Sequence, residues 1–156
     1  MHLTDLLTAD RVAIRHTEGD FAKAQALRTL ATMLASGVQR VQNVDVERVL
    51  VEREQLQSTG IGEGVAIPHG ALSQLETQVA SLLIVPEGVE FAAIDGHKVN
   101  ILFAVIGPKR ATGEHLKTLA RVSRLLRNKS FRDRLVASRD AAAAYDLIAT
   151  EEADHK

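Results

Sequence analysis

Apolar residues recur three and four positions apart in several parts of the chain, which is the pattern of α-helices with one buried face. Each such part begins near a short polar residue that can cap a helix N-terminus. These predicted caps are Asp20, Asp45, Thr112, Ser130 and Asp140. Ser130 also opens a Ser-x-x-Asp sequence that resembles a capping box, and Gly37 is the predicted end of the first helix. The pattern therefore predicts helices at both ends of the chain.

Continuous apolar runs lie between these helices and predict strands. Val79–Val85 and Val99–Ile106 are almost entirely apolar, as expected for strands covered on both faces. Shorter strands are predicted at Arg11–Arg15, at Val65–Ile67 and at Val89–Ala92, with a turn at Pro86–Gly88. Asp95-Gly96 is a hairpin signal, so we expect at least one antiparallel pair in the sheet.

The order of these elements predicts an α/β fold, a mixed sheet of about five strands flanked by helices on both faces. At 156 residues the chain is long enough to bury a core without a disulfide or a metal. We expect a single domain over residues 1–156, with an ordered core at roughly 2–150 and a frayed polar tail over Glu151–Lys156.

Composition removes several classes of function. The absence of cysteine excludes a disulfide framework, a zinc-thiolate site and a cysteine nucleophile. The net charge is -1 and aromatic residues make up 3% of the chain, so neither a nucleic-acid surface nor a base-stacking platform is expected. We find no signal peptide and no apolar run long enough to span a membrane, and we therefore expect a cytoplasmic protein without membrane insertion.

A glycine-rich segment followed by a histidine lies between the second predicted helix and the Val79–Val85 strand. Ser58–Gly70 contains glycines at alternate positions 60, 62 and 64, then an apolar strand, then Pro68 and His69. Backbone N–H groups of such a loop can approach an anion closely, which predicts a phosphate-handling site. Pro68 keeps the residue before it extended, so we expect His69 at a strand end. Ser58 and Thr59 add two hydroxyl groups, to which we assign no role.

His69 is the predicted nucleophile of this segment. The unperturbed pKa of an imidazole, about 6.5, leaves a nitrogen lone pair available near neutral pH. Attack on a phosphoryl group would give a phosphoramidate, and such a reactive bond suits a relay. An ordinary surface or core position is the structural alternative. A zinc site built from His69, His97 and His115 is a further alternative with weak support, and we expect no metal or cofactor.

Two polar residues interrupt apolar helix faces elsewhere in the chain. Arg53 continues the apolar stripe of the second helix, and His115 opens that of the third. A neutral histidine is favoured near a helix N-terminus and can donate a hydrogen bond to a phosphate oxygen, while a guanidinium supplies fixed positive charge. Each residue also has a structural alternative, which is simple packing for His115 and an aliphatic stem over the core for Arg53.

Other glycine motifs do not match this segment. The dinucleotide pattern places its third glycine later and opens a helix, whereas a strand and Pro68 follow here. The chain also lacks the Gly-Lys-Ser/Thr loop of nucleotide-binding proteins and the Gly-x-Ser-x-Gly elbow of hydrolases.

Together with Phe91–Asp95, Val99–Ile106 and Glu114–Leu116, the segment Ser58–Gly70 resembles the phosphorylation-site signature of the mannitol/fructose-type IIA domains of the bacterial phosphoenolpyruvate-dependent phosphotransferase system (PTS). The resemblance covers nearly the whole chain and implies the same helix-flanked mixed sheet. It implies that His69 is the phosphoryl acceptor, forming tele-phosphohistidine. His115 would then support the phosphoryl group by hydrogen bonding, and Arg53 would neutralise its charge.

Within this family the chain looks most like the nitrogen-regulatory IIA proteins. The resemblance implies a phosphotransferase component without complete sugar kinase activity of its own. The implied donor is an HPr-like or NPr-like phosphocarrier protein, and the implied downstream partners are regulated proteins or a IIB domain. Two alternatives stay open: a sugar-specific IIA subunit that passes phosphate to a IIB domain, and a protein-binding module that is not phosphorylated. The sequence fixes neither the downstream partners nor the oligomeric state.

Overall fold

Six strands and five α-helices make up the part of the chain that the computed structural model describes, residues 2–17 and 21–154. The strands are β1 (Val12–Ile14), β2 (Gly60–Gly62), β3 (Val65–Ala66), β4 (His69–Leu72), β5 (Val79–Val89) and β6 (Val99–Pro108). The helices are α1 (Lys23–Ala35), α2 (Asn43–Leu56), α3 (Thr112–Leu125), α4 (Lys129–Val136) and α5 (Ala141–Asp154). Two short 3-10 helices, Leu3–Asp5 and Ala9–Arg11, precede β1.

The strands form one mixed sheet in which β6 is central. β5 pairs antiparallel with β6 and parallel with β1, whereas β3 and β4 pair parallel with the other edge of β6 and β2 pairs antiparallel with β3. The predicted mixed sheet is confirmed. The sheet has six strands instead of the predicted five or so, because the glycine-rich segment itself supplies β2 and β4.

Helices cover both faces of the sheet, each face over its own apolar core, as predicted. α1 and α2 pack on one face, and α3, α4 and α5 pack on the other. Alternate residues of β6 serve the two cores, so Leu102 and Ala104 face α1 and α2 while Phe103 and Val105 face the opposite layer. None of the helices in the described ranges is long and apolar enough to cross a membrane.

Pro68 divides the path of the chain along β6 into two strands. β3 ends at Ala66 and β4 begins at His69, which is paired with Val105. Ile67 and Pro68 lie between the two strands, although the Pro68 carbonyl still accepts a hydrogen bond from the Val105 N–H at 3.0 Å. His69 therefore begins a strand, which corrects the prediction that it lies at the end of one.

Three helices begin at other residues than predicted. α2 starts before Asp45, which lies within its first turn, and Thr112 is the first residue of α3 and not its cap. Asn128 caps α4 in place of Ser130, since its side-chain oxygen accepts a hydrogen bond from the Phe131 N–H at 3.1 Å. At α4 a neighbouring polar side chain takes the cap, whereas Gln42 and Ala111, which precede α2 and α3, make no side-chain cap hydrogen bond.

The remaining two predicted caps have different outcomes. Asp140 is confirmed as the cap of α5, because its Oδ1 accepts a hydrogen bond from the Ala143 N–H at 2.8 Å. Asp20 lies outside the described residues. Where α1 begins, Gln25 Oε1 accepts a hydrogen bond from the Ala22 N–H at 2.8 Å.

β5 runs past its predicted end. Its register with β6 is interrupted over Pro86–Gly88 and resumes where Val89 pairs with Val99, so Pro86–Gly88 is an irregularity within the strand and not a turn that ends it. The separate strand predicted at Val89–Ala92 is therefore wrong beyond its first residue. The predicted hairpin at Asp95-Gly96 is confirmed, because β5 and β6 pair antiparallel on either side of it.

The end of the chain is packed where a polar tail was predicted from Glu151. α5 continues to Asp154, and Glu152 is only 8% exposed. Its carboxylate accepts hydrogen bonds from the backbone N–H groups of Leu3 and Thr4 and forms an ion pair with Arg121 at 3.8 Å. The prediction of a frayed segment is wrong for residues 151–154, since a buried carboxylate ties the last helix to the first turn of the chain.

Candidate functional site

Two histidines from distant parts of the chain meet at the carboxyl-terminal half of β6. His69 is paired with Val105, and paired residues share a face of the sheet, so His69 points toward the layer that contains α3. His115 lies in the first turn of α3. The centroids of the two imidazole rings are 5.8 Å apart, with an angle of 51° between the ring planes. The sequence prediction that these residues share a site therefore has a geometric basis.

A backbone carbonyl fixes the tautomer of His69. Nδ1 lies 2.7 Å from the carbonyl oxygen of Ile67, and because that oxygen can only accept, Nδ1 carries the proton. Nε2 is left with its lone pair in the neutral ring. Burial lowers the pKa of the His69 imidazole from its usual 6.5; the hydrogen bond to Ile67 raises this pKa, and the charge of Arg53 lowers it. The balance favours a neutral ring at neutral pH.

His115 is also held neutral, but its buried nitrogen has no partner. Burial lowers the pKa of the His115 imidazole from its usual 6.5, and the neighbouring His69 lowers it further. Nδ1 is buried without a hydrogen-bond partner. It lies close to the backbone of Gly107, where a Cβ would be 3.3 Å away. Nε2, on the opposite side of the ring, remains for an incoming group.

Arg53 lies near the end of α2 and brings a permanent positive charge to the neighbourhood of His69. Its guanidinium Nη1 donates to the Gln57 carbonyl at 2.9 Å. The apolar stripe of α2 continues through Glu54, which is 7% exposed, so Arg53 lies half-buried beside the stripe and not on it. Leu56, three residues after Arg53, is 83% exposed. The site residue was correctly placed near the histidine, but the reason given for its position was wrong.

The helix that carries Arg53 lies very close to the strand that carries His69. A Cβ at Gly70 would lie 2.2 Å from Val49 Cγ1, which is closer than any real contact. Because glycine has no side chain, α2 packs directly onto β4 next to His69. Gly70 therefore allows the helix that carries Arg53 to lie close to the strand that carries His69.

Two N–H groups of the predicted anion cradle in the glycine-rich segment already have partners within the chain. The Glu63 N–H donates to Asp95 Oδ2 at 2.9 Å, and the Gly60 N–H donates to Ser58 Oγ at 3.1 Å. Positive φ angles at Gly62 and Gly64, 96° and 78°, close the β2–β3 hairpin. The hydrogen bonds from Glu63 and from the His97 backbone lower the pKa of Asp95, as expected for a carboxylate that serves as the anion.

The two hydroxyl groups of Ser58 and Thr59 also have intramolecular partners. Ser58 Oγ donates to the Phe91 carbonyl at 3.1 Å. Thr59 Oγ1 donates to a carboxylate oxygen of Glu54 at 2.7 Å. Both side chains therefore hold the loop in place, which answers the question that the sequence left open.

Glu54 is a site-supporting residue that sequence reasoning missed. Its buried carboxylate accepts two hydrogen bonds from the Thr59 N–H, at 2.8 and 3.0 Å, and forms an ion pair with Lys23 at 3.1 Å. It joins α1, α2 and the start of the glycine-rich segment, and it also raises the pKa of His69. The spacing of Val46, Leu50 and Glu54, four residues apart, was the available signal that this carboxylate faces the core.

The zinc alternative is not supported by the geometry. In residues 2–17 and 21–154, no group of three histidine, aspartate or glutamate side chains is arranged to hold a metal ion. His97 is exposed beside the Asp95 turn. His69 and His115 therefore meet as a pair.

Comparison with known protein families identifies the class of protein to which this chain belongs. Residues 6–151 match the family described as "Phosphoenolpyruvate-dependent sugar phosphotransferase system, EIIA 2". The chain belongs to this family, and the resemblance drawn from Ser58–Gly70 is confirmed.

Relatives with nitrogen-regulatory names are similar over nearly their whole length. The chain is 38% identical to a nitrogen regulatory protein of Bradyrhizobium diazoefficiens over 96% of this chain and 95% of that protein. It is 33% identical to a nitrogen regulatory protein of Pseudomonas aeruginosa, covering 95% of each chain. The crystal structure of nitrogen regulatory protein IIA-Ntr from Neisseria meningitidis superposes with a TM-score of 0.84 at 28% identity, covering 94% of this chain and 98% of that one.

Proposed function

We propose that this protein is a phosphohistidine relay that accepts a phosphoryl group on His69 Nε2 from an HPr-like or NPr-like carrier protein. The observation that carries the proposal is the hydrogen bond from His69 Nδ1 to the Ile67 carbonyl, 2.7 Å long. It places the proton on one nitrogen and the lone pair on the other, which is the arrangement a nucleophilic imidazole needs.

The step exchanges one nitrogen–phosphorus bond for another. The lone pair of His69 Nε2 attacks the phosphorus of the donor's phosphohistidine, and the bond to the donor's imidazole breaks with its electron pair returning to the donor nitrogen. The Nδ1 proton of His69 stays on its hydrogen bond to Ile67 throughout, so no proton transfer is required. That carbonyl also stabilises the positive charge that the ring gains when Nε2 is phosphorylated.

Two neighbouring groups would stabilise the transferred phosphoryl group. His115 has Nε2 available on the face of the ring away from Gly107, and a neutral imidazole can donate one hydrogen bond there. Arg53 supplies a positive charge that is already felt at His69 through its effect on the pKa of that ring. Phosphoryl transfer depends mainly on positioning and charge stabilisation, and these are the roles that we propose for His115 and Arg53.

We further infer that the relay serves nitrogen regulation, with proteins controlled by its phosphorylation state as its output. The nitrogen-regulatory names of relatives that are 38% and 33% identical support this inference. A sugar-specific role, in which phosphate passes on to a IIB domain, is the second candidate, because the family description itself names a sugar phosphotransferase system. Cytoplasmic location stays a prediction from the sequence.

The acceptor assignment is tested by labelling the protein with phosphoenolpyruvate, enzyme I and the carrier. We expect acid-labile phosphate on wild type and on His97→Ala, the matched control in an exposed loop, and none on His69→Ala. Arg53→Ala and His115→Ala should fold but accept phosphate more slowly. Labelling of His69→Ala, or an unlabelled wild type when the carrier itself is labelled, would falsify the assignment.

The output is tested with the phosphorylated protein. Transfer of its phosphate to a sugar-type IIB domain would support the sugar-specific role, and failure of that transfer supports the regulatory role. A pull-down that recovers the same partners with wild type and with His69→Ala would instead support a binding module that does not need phosphorylation.

A further inference from the structure

Two side chains that each carry an unpartnered polar atom come together at one glycine behind the candidate site. Among the described residues, the buried side-chain nitrogen and oxygen atoms without a hydrogen-bond partner are Arg11 Nε, Gln78 Oε1 and His115 Nδ1. A Cβ at Gly107 would lie 3.2 Å from Gln78 Cγ and 3.3 Å from His115 Nδ1. The side chains of Gln78 and His115 therefore approach each other over the bare backbone of Gly107.

The register of the sheet explains this meeting. Val79 pairs with Ile106 in the antiparallel β5–β6 ladder, so Gln78, one residue earlier, lies opposite Gly107. Both are on the face covered by α3, because side chains alternate along a strand and Val105 faces that layer. β4 and β5 flank β6 on opposite sides, and therefore Gln78 and His69 approach His115 from opposite sides.

We propose that Gln78 is a positioning residue for His115, with its amide N–H donating to Nδ1 and holding the imidazole as the Nε2–H tautomer. Gln78 is only 7% exposed, and buried amides are normally hydrogen-bonded. Turning the amide exchanges its oxygen and nitrogen without changing its volume, and rotation of the side chain about its Cβ–Cγ bond then directs the N–H toward Nδ1. The oxygen then takes the position of the amide nitrogen, which is not among the unpartnered buried atoms.

As a consequence, the two imidazoles carry their protons on different nitrogens and have different roles. The Ile67 carbonyl holds His69 with its proton on Nδ1 and its lone pair on Nε2. Gln78 holds His115 in the opposite tautomer, with its proton on Nε2. One ring can then attack phosphorus while the other donates to a phosphoryl oxygen. The proposal rests on the proposed function for the identity of that oxygen, but the tautomer of His115 does not depend on it.

Nitrogen–proton correlation spectra of the imidazoles in the unphosphorylated protein test the tautomer directly. We expect His115 as Nε2–H in wild type and in Gln74→Leu, a control at an exposed glutamine close in the chain. Gln78→Leu should remove this preference. Gln78→Glu, whose carboxylate only accepts, should move the proton to Nδ1 and raise the pKa of His115. His115 found as Nδ1–H in wild type, or unchanged in both Gln78 variants, would overturn the proposal.

Phosphoryl transfer gives a second readout. Gln78→Leu should slow labelling of His69 about fivefold, the factor for one neutral hydrogen bond, and should have no further effect in a His115→Ala background. Additive losses in the double variant count against Gln78 acting through His115. If wild type accepts no phosphate at all, the proposed function fails, whereas the spectra still decide the role of Gln78.

Discussion

Two groups of glycines in this protein differ in how clearly the sequence marks them and in what they contribute to the site. Gly60, Gly62 and Gly64 form a conspicuous motif in the sequence, yet they build a hairpin in which the Gly60 and Glu63 N–H groups donate to the chain's own oxygens. Gly70 and Gly107 are isolated glycines in strands, yet they let α2 and α3 approach the sheet beside the two histidines. The difference shows that here glycine matters to the site through the packing distance between elements, and not through an anion-binding loop.

Gly70→Ala should have the largest effect of the changes that test this difference. The added Cβ would lie 2.2 Å from Val49 Cγ1, so α2 must move away from β4. We expect a loss of about 2 kcal/mol in the free energy of unfolding, measured with denaturant, together with slower labelling of His69. Val49→Ala removes the clashing methyl group and should restore part of the stability in the double variant. A loss of the same size in both backgrounds would show that α2 packing is not the cause.

Asp95→Ala should have an intermediate effect and should act on stability alone. It removes the acceptor for the Glu63 N–H, at 2.9 Å, and for the His97 N–H, at 3.1 Å. Both bonds are exposed, so we expect a modest loss of stability in denaturant unfolding and an unchanged rate of phosphoryl transfer. Asp95→Asn, which keeps one acceptor oxygen, is the control. Slower phosphoryl transfer in a stably folded Asp95→Ala protein would show that the β2–β3 hairpin contributes to the site. That result would contradict the distinction between the two groups of glycines.

Gly107→Ala should destabilise the protein less than Asp95→Ala does, but it should slow phosphoryl transfer. Its Cβ would meet only the movable side chains of Gln78 and His115, at 3.2 and 3.3 Å, so we expect a loss of about 0.5 kcal/mol from rotamer strain. Labelling of His69 should nevertheless slow, because His115 is displaced. Gly113→Ala, with no atom within 4 Å of the new Cβ, is the matched control and should leave both quantities unchanged or improved. Equal transfer rates in the two variants would contradict the role given to Gly107.

The smallest expected effect is a dependence of stability on pH that the close packing produces. Burial lowers the pKa of both His69 and His115 below 6.5, so the unfolded chain binds more protons than the folded protein at pH values between the folded pKa values and 6.5. Stability should therefore be level above pH 6.5 with respect to these groups and fall as the pH drops below it. A His69→Gln, His115→Gln variant should show a shallower fall in denaturant titrations, and an identical fall would assign it to other groups.

Much of the fold could be predicted because it depends on local patterns. The apolar runs of β5 and β6 and the hairpin at Asp95-Gly96 have short-range signals, and they were confirmed. Helix starts were less accurate because a polar residue near a start can lie inside the helix, as Asp45 and Thr112 do, and not at its cap. The end of α5 was missed because a contact from the opposite end of the chain, Glu152 with Leu3, buries its polar residue.

The sequence predicted which residues belong to the candidate site, but it did not predict how they are arranged. His69, His115 and Arg53 were identified through the motif and its resemblance, and the structure brings the two histidines together with the arginine's charge nearby. The sequence did not reveal that Asp95 accepts from the Glu63 N–H of the predicted anion cradle, because Asp95 comes from a loop over 30 residues away. Glu54 was missed because its partners Thr59 and Lys23 come from two other elements.

The gap between β3 and β4 has a consequence for how the site could be altered by mutation. Ile67 lies outside the sheet ladder, and its carbonyl is the atom that orients His69. Every amino acid carries that carbonyl, so no side-chain substitution at position 67 can delete it, and a conventional mutational scan would leave its contribution invisible. Its strength can be changed only by chemical replacement of the backbone, for example an ester in place of an amide. A side-chain substitution at Ile67 therefore leaves in place the carbonyl that orients His69.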